Sequence, residues 1–106
     1  CRILSALTQD VLLNKDYRLF FNPKFPGLAK TKIMRFDKDG VILKGKNQNE
    51  SSWRINNGYL ELLDSEDKVH SRFYYNPVNE RFSHTNDPDT GSIRKHSIRD
   101  QYMLPV

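Results

Sequence analysis

After Thr31 apolar and polar positions alternate with a period of two through most of the chain, and turn residues interrupt the alternation at short intervals. That is the pattern of antiparallel strands joined by hairpins. The strongest signal is Asn57-Gly58, a pair suited to the two positive-φ positions of a type I′ turn. With those two residues as the loop, Asn56 faces Tyr59, Ile55 faces Leu60, Arg54 faces Glu61 and Trp53 faces Leu62. Trp53, Ile55, Leu60 and Leu62 then share one face, and Arg54 meets Glu61 on the other. A one-residue slip would destroy both results.

The neighbouring turns extend the meander. Asp37-Lys38-Asp39-Gly40, read as a four-residue turn, sets Phe36 against Val41 and Met34 against Leu43. Lys46 to Ser51 forms the next connection, after which Leu43 reaches Ile55 and Gly45 lies opposite Trp53, its missing side chain leaving room for the indole. A turn at Ser65-Glu66 brings Leu62 against Val69 and Leu60 against Ser71, with His70 facing Glu61 outside. Asn76-Pro77-Val78-Asn79 sets Phe73 against Phe82, Tyr74 against Arg81 and Ser71 against His84. One face thereby collects Met34, Phe36, Val41, Leu43, Trp53, Ile55, Leu60, Leu62, Val69, Phe73 and Phe82.

Before the meander, Ile3, Leu4, Leu7 and Val11 form a helical stripe that predicts a helix from Arg2 to Leu13 packed across one end or face of the sheet. A strand is expected at Tyr17 to Phe21, a turn-rich connection at Asn22 to Gly27, and a last strand within Ser92 to Ile98. The predicted fold is mainly β in a single domain over 1–106, with a helical lead-in at 1–16 and the sheet over 17–106. About seven or eight short strands make one antiparallel meander, closed as a small barrel or folded as a half-open roll.

Composition adjusts this picture. Hydrophobic residues are 37% of the 106 positions, but six Phe, five Tyr and Trp53 supply large units of buried area for a thin aromatic core. The single Cys1 forms no internal disulfide, which points to a reducing compartment and a cytoplasmic location. A lipid-bearing first residue is the alternative role for Cys1, although Arg2 and the apolar run after it are a poor match for a polar tether. No apolar stretch approaches the roughly 20 residues that cross a bilayer.

The net charge of +4 is unevenly placed. Nine basic residues stand against three acidic ones between Lys15 and Lys46, and seven against nine from Asn47 onward. Lys30, Lys32, Arg35, Lys44 and Lys46 are the candidates for an anion-binding strand surface; a solvated lysine-rich strand is the plainer reading. In the register above, Arg35 faces Ile42 and Ile33 faces Lys44, so that surface mixes charge with apolar groups and suits only weak, nonspecific nucleic-acid contact.

No pattern identifies an enzyme, a cofactor or a metal site. His70, His84 and His96 lack ligand spacing, and Asp37 to Gly40 and Asp87 to Gly91 are fragments of a calcium loop that read better as tight turns. A buried His84-Ser71 pair would be the beginning of a hydrolase or transferase site, but no orienting acid accompanies it. More suggestive is the amide-rich loop before Trp53. Asn47, Asn49 and Glu50 offer groups that bond hydroxyls, and Trp53, Tyr59 and Tyr74 offer faces that stack on a sugar ring. The plainer reading of the loop is a hairpin in which Asn49 or Glu50 caps its own backbone.

The run Gly40-Val41-Ile42, Asn47-Gln48-Asn49-Glu50, Trp53, Asn57 to Asp64 and Ser71-Arg72-Phe73 resembles small lipocalin-like β modules of bacterial proteins, over Phe36 to Tyr75. Similar segments accompany transferases of surface-polysaccharide assembly. The early Gly-x-Trp strand of true lipocalins is missing. A coherent sheet, outward aromatics such as Tyr59 and Tyr74 and no catalytic constellation point to a non-catalytic binding or accessory domain of a larger bacterial protein, with a glycan, another polar small ligand or a protein partner on its β surface; the alternative is a nucleic-acid-binding β domain that uses the basic strand surface.

Overall fold

The computed structural model describes residues 9–13, 15–21, 31–95 and 98–106. Its elements are α1 (Gln9–Leu12), β1 (Asp16–Phe20), β2 (Thr31–Asp37), β3 (Val41–Lys44), β4 (Ser52–Asn56), β5 (Tyr59–Leu63), β6 (Val69–Asn76), β7 (Arg81–His84), α2 (Gly91–Arg94) and β8 (Tyr102–Pro105). The strands form one antiparallel sheet in the order β3-β2-β1-β8-β7-β6-β5-β4. Because β8 pairs with both β7 and β1, the meander curls round and nearly closes as an eight-stranded barrel.

The remaining gap lies between β3 and β4, which share no ladder. Trp53 latches it. Its backbone N–H reaches the Gly40 carbonyl at 3.2 Å, and its indole N–H is shared by the carbonyls of Asp37 and Val41, both at 2.9 Å.

Alternation puts the large side chains inside. Leu12, Tyr17, Leu19, Met34, Phe36, Ile42, Trp53, Leu60, Leu62, Phe73, Phe82 and Met103 form the core, with Ile55 and Tyr75 packed against it. Edge contacts of Tyr17 with Phe82 (5.4 Å, 89°) and of Phe36 with Trp53 (6.2 Å, 79°) fill the barrel with aromatic rings. The hydroxyl of Tyr17 donates to the Val11 carbonyl at 2.9 Å and ties α1 to β1.

The Asn57-Gly58 hairpin has the expected register at all four pairs, and both turn residues have positive φ, at 53° and 83°. Elsewhere the register differs from expectation. The turn before β3 has three loop residues, because Asp39 and Gly40 are both left-handed (φ 62° and 77°), so Asp37 pairs with Val41 and Phe36 with Ile42. The one-residue shift reverses β3. Ile42 is buried, while Val41 and Leu43 are 45% and 56% exposed rather than in the core. A bulge then carries Arg35 opposite Lys44. Gly45 does not lie opposite Trp53; the space it leaves is taken by the Met34 sulfur.

Between β5 and β6, Leu62 pairs with Ser71 and Leu63 with Val69, and a bulge at Leu62/Leu63 removes His70 from its expected place opposite Glu61. Between β6 and β7, Tyr75 pairs with Phe82 and Phe73 with His84. This shift of two residues keeps Phe73 and Phe82 inside, as alternation requires. Of the helix expected from Arg2 to Leu13, only the turn Gln9–Leu12 is seen, residues 1–8 lying outside the described ones. Where a strand is expected within Ser92 to Ile98, residues 92–94 belong to α2, residues 96 and 97 lie outside the described ones, and the last strand is Tyr102–Pro105.

Candidate functional site

At one end of the barrel β1, β3, β5 and β7 finish and β2, β4, β6 and β8 begin. A cleft of about 240 Å³ opens there, lined by Phe21, Lys32, Asn47, Asn49, Glu50, His70, Ile98 and Gln101. Lys32 is the second residue of β2 and shares the inward face with Met34 and Phe36. Its ammonium bonds the carboxylate of Glu50 and the carbonyl of Gly45, the latter at 2.9 Å. Glu50 is buried, and its other oxygen lies 3.5 Å from Nε2 of His70.

The loop carrying Glu50 caps itself, through Asn47 rather than Asn49 or Glu50. The Asn47 side-chain oxygen accepts the N–H groups of Asn49 (2.8 Å) and Glu50 (2.7 Å), and the Asn47 N–H returns to the Glu50 carbonyl at 3.0 Å. With its oxygen engaged, the Asn47 amide leaves its NH₂ as the group it can offer. The least exposed of the lining polar residues is Gln101, 2% exposed, whose amide nitrogen is buried and makes no hydrogen bond. An unmade bond of this kind costs about 1–3 kcal/mol.

The other sugar-stacking candidates are elsewhere. Trp53 is 5% exposed inside the barrel with its N–H engaged, so it closes the seam and presents no stacking face in the mouth. The aromatic ring in the cleft is Phe21, with the Lys32 ammonium 5.9 Å from its centroid. Tyr59 and Tyr74 are exposed on the outer wall. Of the basic candidates, Lys32 is held by Glu50, and Arg35 and Lys44 both bond Asp16, at 3.0 and 3.2 Å. The two cations hold the Asp16 carboxyl below its ordinary range through these bonds. Lys46 is exposed and Lys30 lies outside the described residues. Three of the five candidates are thus engaged by carboxylates, two of them sharing Asp16.

His84 does not meet Ser71. Its Nδ1 accepts the Asn86 N–H at 2.9 Å, which places the ring proton on Nε2, 3.1 Å from the Ser92 hydroxyl oxygen. Burial lowers its pKa to about 4. A neutral imidazole that gives its only N–H to a serine cannot also take that serine's proton, so the pair is structural. Ser71 is buried with its hydroxyl unpaired. Among the described residues no group of three His, Cys, Asp or Glu side chains could hold a metal ion.

The Arg54-Glu61 pair expected from the hairpin register is present and belongs to a larger cluster that sequence reasoning missed. On the outer wall Glu61, 2% exposed, receives Arg54 Nε at 2.6 Å and Arg72 Nε at 2.7 Å. Arg72 also grips Asp87 (2.8 Å) and Asp89 (3.0 and 3.1 Å). The Asp87 to Gly91 turn is thus strapped to the barrel, and α2 packs behind it, with Gly91 close against His70. Burial pushes the Glu61 carboxyl up, but the bonds from Arg72 and Arg54 outweigh it and hold the pKa low.

Among the described residues no helix is long and apolar enough to cross a membrane. No protein-family model matches the chain, and no curated protein or solved structure matches it.

Proposed function

We propose that the chain is a non-catalytic binding or accessory domain whose barrel mouth seats one polar, hydroxyl-bearing ring, such as the end unit of a glycan. The observation that carries this reading is the buried, unpaired amide of Gln101 in a cleft that also holds a buried carboxylate and an aromatic ring. A sugar hydroxyl can accept from Gln101 and donate to Glu50 while a ring face lies on Phe21. Asn47 and Asn49 stand at the rim, and Lys32 and His70 fix the carboxylate.

The test is Gln101→Met, which keeps the volume and removes the donor. In the free protein this deletes an unsatisfied buried group, so the denaturation midpoint should hold or rise. Binding of oligosaccharides on a broad glycan array and by titration calorimetry should fall by about tenfold or more. Equal binding by the variant, or no glycan bound by the wild type, would rule out the mouth as a sugar seat.

A further inference from the structure

We infer that the outer wall carries a track for a linear, uncharged glycan that continues from the mouth; this rests on the reading of the mouth as a sugar seat. The strand registers align one row of outward positions. Phe20 pairs with Tyr102, Tyr102 with Ser83, and Ser83 with Tyr74. Continuing the Leu60-Phe73 pairing by one step sets Tyr59 opposite Tyr74. The chain neighbours Leu19, Met103, Phe82, Phe73 and Leu60 are all in the core, so alternation points this row away from it.

The row begins at the mouth, because Phe20 and Tyr102 adjoin Phe21 and Gln101, which line the cleft. It ends at the opposite end of the barrel, where Tyr59 follows the Asn57-Gly58 turn. A row perpendicular to tilted strands runs diagonally along a barrel, and this one joins the two ends.

Its chemistry suits sugar rings. Phe20 and Tyr102 stack on each other at 4.4 Å and 14° and the Arg81 guanidinium lies 4.2 Å from the Tyr102 centroid, so this pair lends the row a rigid edge while the stacking faces come from the exposed tyrosines. Tyr59 and Tyr74 are 40% and 50% exposed. Tyr102 and Tyr74 stand two strand spacings apart, roughly 10 Å, and the Ser83 hydroxyl lies between them. A charged polymer fits less well. Arg81 is engaged by Tyr102 and by Ser83 at 3.0 Å, and Arg54 and Arg72 are engaged by Glu61, Asp87 and Asp89. A phosphate backbone would meet few available cations there.

Short and long members of the cello-, malto- and chito-oligosaccharide series are titrated into the wild type, the Tyr59→Ala/Tyr74→Ala double variant and Gln101→Met. Wild-type affinity should rise by about tenfold from the short to the long members of one series. The double variant should lose that gain, bind the short members as the wild type does, and keep its melting temperature. Gln101→Met should weaken every length. Equal affinity for short and long members, or a double variant that keeps the length dependence, overturns the track and leaves the mouth standing. Affinities untouched by Gln101→Met at every length overturn the mouth and the continuation from it. No binding by any member overturns both, and tighter, salt-sensitive binding of oligo(dT) that needs Tyr59 and Tyr74 assigns the row to nucleic acid instead.

Discussion

His84 should make stability fall on mild acidification, in a pH range where carboxylates are silent. Its pKa is lowered to about 4 by burial, against about 6.5 in an unfolded chain. The folded value is the lower one, so the unfolded state binds the proton first. The stabilising contribution is therefore complete above about pH 6.5, declines as pH falls, and levels off near pH 4 when the folded ring protonates as well. Between pH 7.5 and pH 5 the loss works out at about 2 kcal/mol, from the difference in proton binding of the two states. In a domain with roughly 5–15 kcal/mol to lose, that is easily measured. The structural cost of protonation is concrete, since a charged ring must give up accepting from Asn86 while packed edge-on to Phe73 at 5.3 Å. Urea denaturation of wild type and His84→Gln at closely spaced pH values is the assay. The variant will be less stable at pH 7.5, but its curve should be flatter towards pH 5 by nearly the whole 2 kcal/mol, other histidines cancelling in the difference. Parallel curves would refute both the buried neutral state and the proton placement that excludes His84 as a base.

Trp53→Ala should cost about 3–5 kcal/mol by emptying a core site, whereas Trp53→Phe keeps most of the volume and should cost about 1–2 kcal/mol for the lost indole N–H bond. In both, amide exchange should speed up first around Gly40 to Lys44; a wild-type midpoint for Trp53→Ala would place the indole at the surface. Glu61→Gln should cost about 2 kcal/mol by denaturation, because a buried acceptor of two guanidinium bonds loses its charge. Its lowered pKa means that stability is present above about pH 4.3 and lost as pH falls through the folded value, so the variant's acid limb should be shallower than wild type. Ile42→Ser should destabilise by about 2 kcal/mol or more and Leu43→Ser by under about 0.5, and the reverse order in a melting experiment would restore the four-residue turn.

What was legible follows from which interactions are local. The Asn57-Gly58 register depends on two left-handed residues that the sequence advertises. At Asp37 to Gly40 the same physics works against the reader, since Asp39 joins Gly40 in the left-handed region and shortens the loop. A period of two turns that single residue into an inverted strand. The shift at Pro77 to Glu80 was of two residues and did no harm to the faces. The last strand escaped notice because Tyr102-Met103-Leu104-Pro105 is short and ends in proline, and its pairing with β1 spans nearly the whole chain. In the site, Asn47, Asn49 and Glu50 share one loop and were found together. Phe21, Lys32, His70 and Gln101 join them only because four separate strand ends meet at one rim, and that depends on register and closure rather than on any spacing.

The seam between β3 and β4 makes the barrel a two-armed object. One arm is β1 to β3 and the other β4 to β8, and the chain passes between them through the exposed stretch Lys46 to Asn49. A protease nick there would leave each arm's ladders whole, with the arms held by the β1-β8 pairing, the Lys32-Glu50 ion pair and the Trp53 latch. The mouth straddles that division, with Phe21 and Lys32 on one arm and His70 and Gln101 on the other. A molecule seated in it touches both, so in a nicked domain occupancy and reassembly become a single equilibrium, and the two fragments would behave as a split receptor whose halves are drawn together by what they bind.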